Sequence, residues 1–234
     1  MGNSQSWQRA QDSAMCGDEA VSIEVFQDLT LTARDGQRSA LRDALHRNAT
    51  TPWRHAEERE REFPTTSSEF LAFQRASGDN LAASGLTLCA REDGYEVVNI
   101  VPLEDDELGT SGYNDILNDF IERVVGPASQ ELEFDIVVTP RKQSITDWTS
   151  DEVASALHTF SVCANKSTGA GHPADRKRWF EFLFAAHAAN TRLDAELLGR
   201  WLVEAEKWPP EVAFDLVDRY QYSMDLLKSG AAAP

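Results

Sequence analysis

The sequence predicts an α+β fold, in which a small mixed β-sheet with two helices is followed by a C-terminal bundle of about four α-helices. Alternating apolar and polar residues, the pattern of β-strands, occur before about residue 140. After residue 146 the apolar residues recur at spacings of three and four, which predicts amphipathic helices. The chain has 234 residues, 41% hydrophobic and 26% charged, a composition typical of globular proteins that bury a core.

The predicted strands all lie in the first part of the chain. Glu92-Asp93-Gly94 predicts the turn of a β-hairpin, because glycine adopts positive φ angles that other residues resist. The strand that follows, YEVVNIVPL, is rich in β-branched residues. The full set comprises one or two short strands within 21–31 and strands at 69–75, 85–91, 95–103 and 133–139.

Two helices are predicted between these strands. A short helix ends at about Arg47, and a longer one covers 113–125, where Gly126-Pro127 is expected to end it. The second of these helices lies between two strands, which implies a crossover connection. The charged segment 56–62 has no apolar face, so we expect a solvated connection or short exposed helix; the alternative is an acidic docking ridge anchored by Trp53.

The C-terminal helices have recognisable ends. Thr149 or Ser150 is the expected N-cap of the first helix, and His172-Pro173 begins another. Trp208-Pro209-Pro210 predicts a corner before the last helix. The residues expected on the buried side of that last helix are Phe214, Val217, Tyr220, Met224 and Leu227.

These patterns divide the chain into four parts. We expect a disordered tail at 1–20, an α+β sheet region at 21–140, a helical region at 141–228 and a frayed tail at 229–234. The connection around residue 140 is too short to imply independent domains, so the helical region is expected to pack as one unit with the sheet.

The cysteines and the N-terminus favour a cytoplasmic location. Cys16, Cys89 and Cys163 are far apart and odd in number, which is typical of reduced thiols. No transmembrane segment or secretory signal is expected. Gly2 and Ser6 match the short myristoylation pattern, but with little basic sequence beside them we expect no lipid anchor at Gly2.

The net charge of −17 is concentrated in the middle of the chain. Residues 80–146 contain 13 acidic residues against 4 basic ones, and the densest run is Glu104, Asp105, Asp106 and Glu107. Such a charge disfavours direct nucleic-acid binding and favours a basic protein partner, which we expect these four residues to bind. The alternative is that the charge serves solubility alone.

A basic segment interrupts this acidic background between two helices, in FSVCANKSTGAGHPADRKRW. Its polar groups, and the free N–H groups at the start of the following helix, are suited to a phosphate or carboxylate. It lacks the residue order of a nucleotide P-loop. The predicted anion ligands are Lys166, Ser167, Thr168, His172, Arg176 and Arg178; the alternative is a purely structural loop.

No catalytic residues, metal site or cofactor are predicted. His158 and His187 fall inside helices without the spacing of a helical zinc site, and Cys163 lies about 140° around the helix from His158. We therefore expect a non-catalytic interaction protein of the inhibitor, immunity or antitoxin type. The alternative function is an enzyme or sensor that binds a phosphorylated small molecule or nucleotide at the loop 166–178.

Overall fold

The computed structural model describes residues 21–34, 36–62, 69–104 and 107–231, and it confirms the α+β fold. The chain forms two compact units. The sheet unit comprises residues 24–141, and the helical unit comprises residues 142–234 together with the chain up to Ile23. The predicted tail at 1–20 lies outside the described residues, and the packing of the two regions as one unit stays a prediction.

A six-stranded sheet in the order β3-β4-β5-β6-β2-β7 is the centre of the sheet unit. Its pairings are all antiparallel. The strands are β2 (Leu29–Ala33), β3 (Trp53–His55), β4 (Phe70–Arg75), β5 (Ser84–Ala90), β6 (Gly94–Pro102) and β7 (Phe134–Val138). The helices are α1 (Arg38–Asn48), α2 (Glu57–Glu60), α3 (Gly109–Phe120) and α4 (Gly126–Glu131). The predicted hairpin is present as β5 and β6, with Ala90 opposite Tyr95.

The core of this unit lies where α1 and the α3–α4 region cover the sheet. Leu29 and Leu31 of β2 are fully buried while the residues between and after them are more exposed, the alternation expected of a strand with one covered face. Leu41, Ala44 and Leu45 form the matching apolar stripe of α1. Ile116, Leu117 and Phe120 contribute the corresponding stripe from α3 and belong to the same core cluster.

The helix between β6 and β7 is longer than the sequence predicts. It begins at Gly109 and continues through a π-helical segment, Ile121–Val125, into α4. Gly126-Pro127 therefore does not end it. The pair comes directly after the π-helical segment, and the N–H of Gly126 donates to the carbonyl of Ile121, five residues earlier. Because β6 and β7 both run antiparallel to β2, they are parallel to each other, and the connection between them passes over one strand.

The helical unit contains the predicted four helices. They are α5 (Asp151–Cys163), α6 (Pro173–Ala188), α7 (Ala195–Arg200), which continues as the π-helical segment Trp201–Ala205, and α8 (Pro210–Ala231). Ser150 is the N-cap of α5 and accepts a hydrogen bond from the N–H of Val153. Two short strands, β1 (Ile23–Glu24) and β8 (Lys142–Gln143), form a separate two-stranded sheet.

The buried side of α8 differs from the prediction. Tyr220 and Met224 are buried as expected, but Phe214 is 66% exposed and its neighbour Ala213 is buried instead. Leu216 is also buried, in place of the predicted Val217, so the buried face differs from the prediction by one residue in the first two turns and agrees with it at Tyr220 and Met224. Hydrophobicity alone favoured burial of Phe214. The orientation of α8 about its own axis instead turns Ala213 toward the core. α8 also extends to Ala231, past the predicted start of the tail.

Trp179 is at the centre of an aromatic core in the helical unit. Its ring lies 5.0 Å from that of Phe160 and 5.1 Å from that of Phe182. Trp208 stacks on Phe160 and donates a buried hydrogen bond to the hydroxyl of Ser161 at 2.7 Å. No helix in the described ranges combines the length and apolar character that crossing a bilayer requires.

A buried ion pair connects the sheet to α3 in the sheet unit. The Arg75 side chain is fully buried, and its Nε donates to Asp119 Oδ2 at 2.9 Å. Trp53 Nε1 donates to the same oxygen at 2.8 Å, while Arg123 donates to Oδ1 at 2.7 Å. Burial pushes the pKa of Asp119 upward, but the hydrogen bonds from these three side chains outweigh it, so its pKa is lowered.

We expect Asp119→Ala to lower the free energy of unfolding by about 3–5 kcal/mol, because it leaves the Arg75 guanidinium buried without a counter-charge. Denaturant titration followed by circular dichroism measures the change. The control is Glu131→Ala, which removes an exposed partner of Arg47 and should leave the midpoint nearly unchanged. Equal losses in the two variants would contradict a central role for Asp119.

The same contribution should depend on pH. Because the pKa of Asp119 is lower in the folded protein, its stabilisation is complete above the ordinary carboxyl value of about 4 and is lost as pH falls through the folded value. We therefore expect the stability difference between the wild type and Asp119→Ala to narrow in acid. A difference that stays constant from neutral pH to acid would contradict this assignment.

Candidate functional site

The predicted anion-binding segment lies between α5 and α6. Lys166 Nζ donates to the backbone carbonyl of Glu206, and it lies 5.8 Å from the centre of the Trp208 ring. Ser167 donates through both its N–H and its hydroxyl to Asn165 Oδ1, at 2.9 and 2.7 Å. These two predicted ligands therefore already have partners within the helical unit, while Thr168 is exposed.

The remaining predicted ligands hold the start of α6. His172 is the N-cap, and its Nδ1 accepts a hydrogen bond from the N–H of Ala174 at 3.2 Å. Arg176 donates to the carbonyl of Gly171 at 3.3 Å. Arg178 pairs with Asp175 at 2.9 Å, and Asp175 is only 6% exposed. Each contact satisfies a group at the helix start, so the local geometry has a structural explanation, and anion binding here stays a prediction.

A surface hollow of about 340 Å³ lies elsewhere in the helical unit. It is lined by parts of α6, the start of α7 and α8, including His187, Arg192 and Tyr220, and by none of the predicted anion ligands. Tyr220 donates to the carbonyl of Leu193 at 2.6 Å, and burial raises its pKa to about 12. Tyr220 therefore remains protonated at neutral pH, and its hydrogen bond to Leu193 connects two of the segments that line the hollow.

The predicted partner-binding residues follow β6. Glu104 and Glu107 are both exposed, whereas Asp105 and Asp106 lie outside the described residues. The exposed position of the two glutamates is compatible with contact to a partner, and such a contact stays a prediction. Trp53, the suggested anchor of an acidic ridge at 56–62, is instead buried in the sheet unit, 1% exposed, with its indole N–H on Asp119.

Nearly all the arginine side chains of the sheet unit form ion pairs within that unit. Residues 24–141 contain 23 acidic residues, 11 arginines and no lysine, a net charge of −12 out of −17 for the chain. Ten of the 11 arginines make ion pairs with carboxylates of the same unit. Arg141, for example, contacts both Glu24 and Asp115 at 2.7 Å. Among the described residues of the unit, the excess charge is therefore carried by carboxylates that form no ion pair with an arginine.

Two histidines and a glutamate form a second cluster in the sheet unit, one that the sequence did not single out. His46 comes from α1, His55 from the edge strand β3, and Glu60 from α2. The imidazole rings stack with their centres 3.7 Å apart, and His55 Nε2 lies 2.8 Å from Glu60 Oε1. That oxygen also accepts a hydrogen bond from the N–H of Ala72 at 2.8 Å. The three side chains are half-buried.

The electrostatics of this cluster keep His46 neutral. Burial lowers the pKa of His46, and the neighbouring His55 lowers it further. Its Nε2 atom is buried and has no hydrogen-bond partner among the described residues. A buried polar atom without a partner is unusual in a protein. This ring nitrogen of His46 is therefore available to bind a ligand such as a metal ion.

Sequence spacing could not reveal this cluster, because its members belong to three elements. His46 and His55 are separated by the end of α1 and the turn before β3, and neither has a histidine at helical spacing. The available signal was indirect. His46 follows the buried Leu45 near the end of an amphipathic helix, and His55 follows the buried Trp53 by two residues, so both could be placed near the core of the same fold.

Comparisons with known proteins leave the site to be interpreted from its own geometry. No protein-family model, curated protein or solved structure matches the chain.

We expect Asp175→Ala to destabilise the protein by about 1–2 kcal/mol, because it removes a buried carboxylate from the first turn of α6 together with its ion pair to Arg178. Thermal and denaturant unfolding measure the loss. The matched control is Glu181→Ala, which removes an exposed carboxylate on the same helix and should cost less than about 0.5 kcal/mol. Similar values for the two variants would argue against a structural role of the Asp175–Arg178 pair.

Proposed function

We propose that this chain is a non-catalytic acidic interaction protein of the cytoplasm, of the inhibitor, immunity or antitoxin type, which binds a basic protein partner. The observation that carries the proposal is the internal use of arginine in the sheet unit. Ten of its 11 arginines already neutralise carboxylates of their own unit, so the remaining carboxylates among the described residues of the unit form no ion pair with an arginine.

Eight exposed carboxylates of the sheet unit carry this charge. They form no ion pair with the described residues, and they comprise Asp28, Glu62, Glu92, Asp93, Glu104, Glu107, Glu122 and Asp135. Water solvates such groups well, so they cost the folded protein little beyond mutual repulsion. A partner rich in lysine and arginine would relieve that repulsion, and the summed field would accelerate its association.

The sign of the charge selects the class of partner. Nucleic acid carries one phosphate charge for each nucleotide and would be repelled by this surface. A basic protein meets complementary charge, and some of the exposed acids lie in or directly beside strands of the sheet. Asp135 in β7 and Gly94, which follows Glu92 and Asp93, both lie opposite Thr32 of β2, so three of the carboxylates are carried at one end of the sheet. The acidic residues predicted to make the contact are Glu104, Asp105, Asp106 and Glu107, which follow β6 in the chain. Glu92 and Asp93 precede β6, so the three carboxylates at this end of the sheet add to the field and are not part of the predicted contact.

The test compares two variants with the same change in net charge. In the first, Glu104, Asp105, Asp106 and Glu107 are replaced by the corresponding amides. In the second, four exposed acids of α8 are replaced in the same way: Glu211, Asp215, Asp218 and Asp225. Each full-length protein is immobilised and exposed to lysate at low and at high salt, and each captured protein is then purified and its Kd is measured.

We expect the wild type and the α8 variant to bind the same basic protein, with an affinity that falls as salt rises. The 104–107 variant should bind it at least about tenfold more weakly, a difference of about 1.4 kcal/mol. The absence of any basic protein from the low-salt capture would contradict the function. Equal weakening in both variants would show that net charge, and not this segment, determines binding.

A further inference from the structure

We propose that His46, His55 and Glu60 form a binding site for a divalent transition-metal ion of the zinc class. The three side chains offer one ligand atom each, and these atoms all lie within 4.8 Å of one another. Two imidazole nitrogens and one carboxylate oxygen are a ligand set that suits Zn²⁺ and its neighbours in the first transition row. The proposal is independent of the partner-binding function.

The distance between His55 and Glu60 is close to the one that a bound ion needs. Zinc binds nitrogen and carboxylate oxygen at about 2.0–2.2 Å, so two ligands on one tetrahedral ion are about 3.3 Å apart. His55 Nε2 and Glu60 Oε1 are 2.8 Å apart and need to separate by only about 0.5 Å to admit an ion. The imidazole rings stack with their planes only 18° apart, so one ring must turn out of the stack before both nitrogen lone pairs can point at the same ion.

His46 provides an independent reason to place an ion here. Its Nε2 is buried without a hydrogen-bond partner among the described residues, whereas His55 already has one in Glu60. Both imidazole rings also pack against Phe73, but this apolar side chain offers no hydrogen-bonding group to His46 Nε2. A metal ion bound to the lone pair of that nitrogen would satisfy it.

The carboxylate is already oriented by the fold. The N–H of Ala72 in β4 donates to Glu60 Oε1 at 2.8 Å, the kind of outer contact that holds a ligating carboxylate in place. The side chains of His55 and Glu60 are 26% and 19% exposed, so an ion can reach them from solvent. Three protein ligands leave the fourth tetrahedral position for water or another group.

An ion at this position would connect three elements. His46 belongs to a helix that covers the sheet, His55 to the edge strand β3, and Glu60 to the short helix α2. β3 has only three residues and pairs on one side only, with β4. A metal ion would tie this edge to α1. Because binding to the folded state alone stabilises it by RT ln(1 + L/Kd), where L is the free metal concentration, the thermal midpoint should rise with the logarithm of that concentration once it exceeds Kd.

The experiment uses the full chain after treatment with a chelator and dialysis. ZnCl₂ is titrated in a calorimeter, CoCl₂ is followed by visible absorption, and thermal unfolding is recorded with each metal. We expect one equivalent of Zn²⁺ to bind, a higher midpoint, and tetrahedral Co²⁺ absorption bands without the thiolate charge-transfer band that cysteine ligands would give. Mg²⁺ and Ca²⁺, which prefer sites made of several oxygens, should not raise the midpoint.

The variants are His46→Gln, His55→Gln and Glu60→Gln, with His158→Gln as the control. His158 lies on α5 of the helical unit, where its ring is exposed and contacts Glu206. Each cluster variant should weaken Zn²⁺ binding at least about tenfold, and the control should leave it unchanged. If burial makes His46→Gln unfold, the two more exposed positions still decide the question.

Failure of the wild type to bind Zn²⁺ would overturn the proposal. So would binding that the His55 and Glu60 variants leave intact, or a Co²⁺ spectrum dominated by thiolate ligands. Loss of binding in His158→Gln alone would place the ion in the helical unit and would also overturn it.

Discussion

The buried pair of Arg75 and Asp119 is the contact on which the sheet unit depends. Removing two charges from water is costly, and hydrogen bonds to the groups of the pair offset much of that cost. Arg75 Nη2 is buried without a hydrogen-bond partner among the described residues. Asp119, however, accepts from three side chains, and Arg75 also donates to the carbonyls of Ala76 and Leu81. The pair thereby sets the position of β3, β4 and α3 relative to one another. The same strand β3 carries His55, so the histidine cluster inherits its geometry from this contact.

Much of the fold could be predicted from the sequence, because local periodicity determined most of it. The hairpin of β5 and β6 and the caps at Ser150 and His172 were set by residues close in the chain. The errors occurred where tertiary packing overrides local preference. Gly126-Pro127 ends helices in general, but here a π-helical segment carries the helix past it. The histidine cluster could not be predicted, since three separate elements must first be placed in space.

The two kinds of charged residue in the sheet unit have separate roles. Arginine, whose planar guanidinium binds carboxylates in a fixed geometry, is the only cation of the unit and serves mainly to connect its elements. Arg123, for example, contacts Asp119 on α3 and Asp79 in the loop after β4. The unpaired acids are on the outside and cost little to solvate. Substitution of the paired arginines should therefore change the stability of the unit, and substitution of the unpaired acids should change mainly its surface charge.

The sheet unit begins and ends at almost the same point. The N–H of Val25 donates to the carbonyl of Arg141 at 2.9 Å, and the side chain of Arg141 pairs with Glu24. A continuous piece of chain whose two ends meet in this way behaves as an insert, because the surrounding chain needs to bridge only a short gap if it is removed. The sheet unit could thus be exchanged, duplicated or placed in another host protein as a cassette, with its ends already closed by its own hydrogen bond.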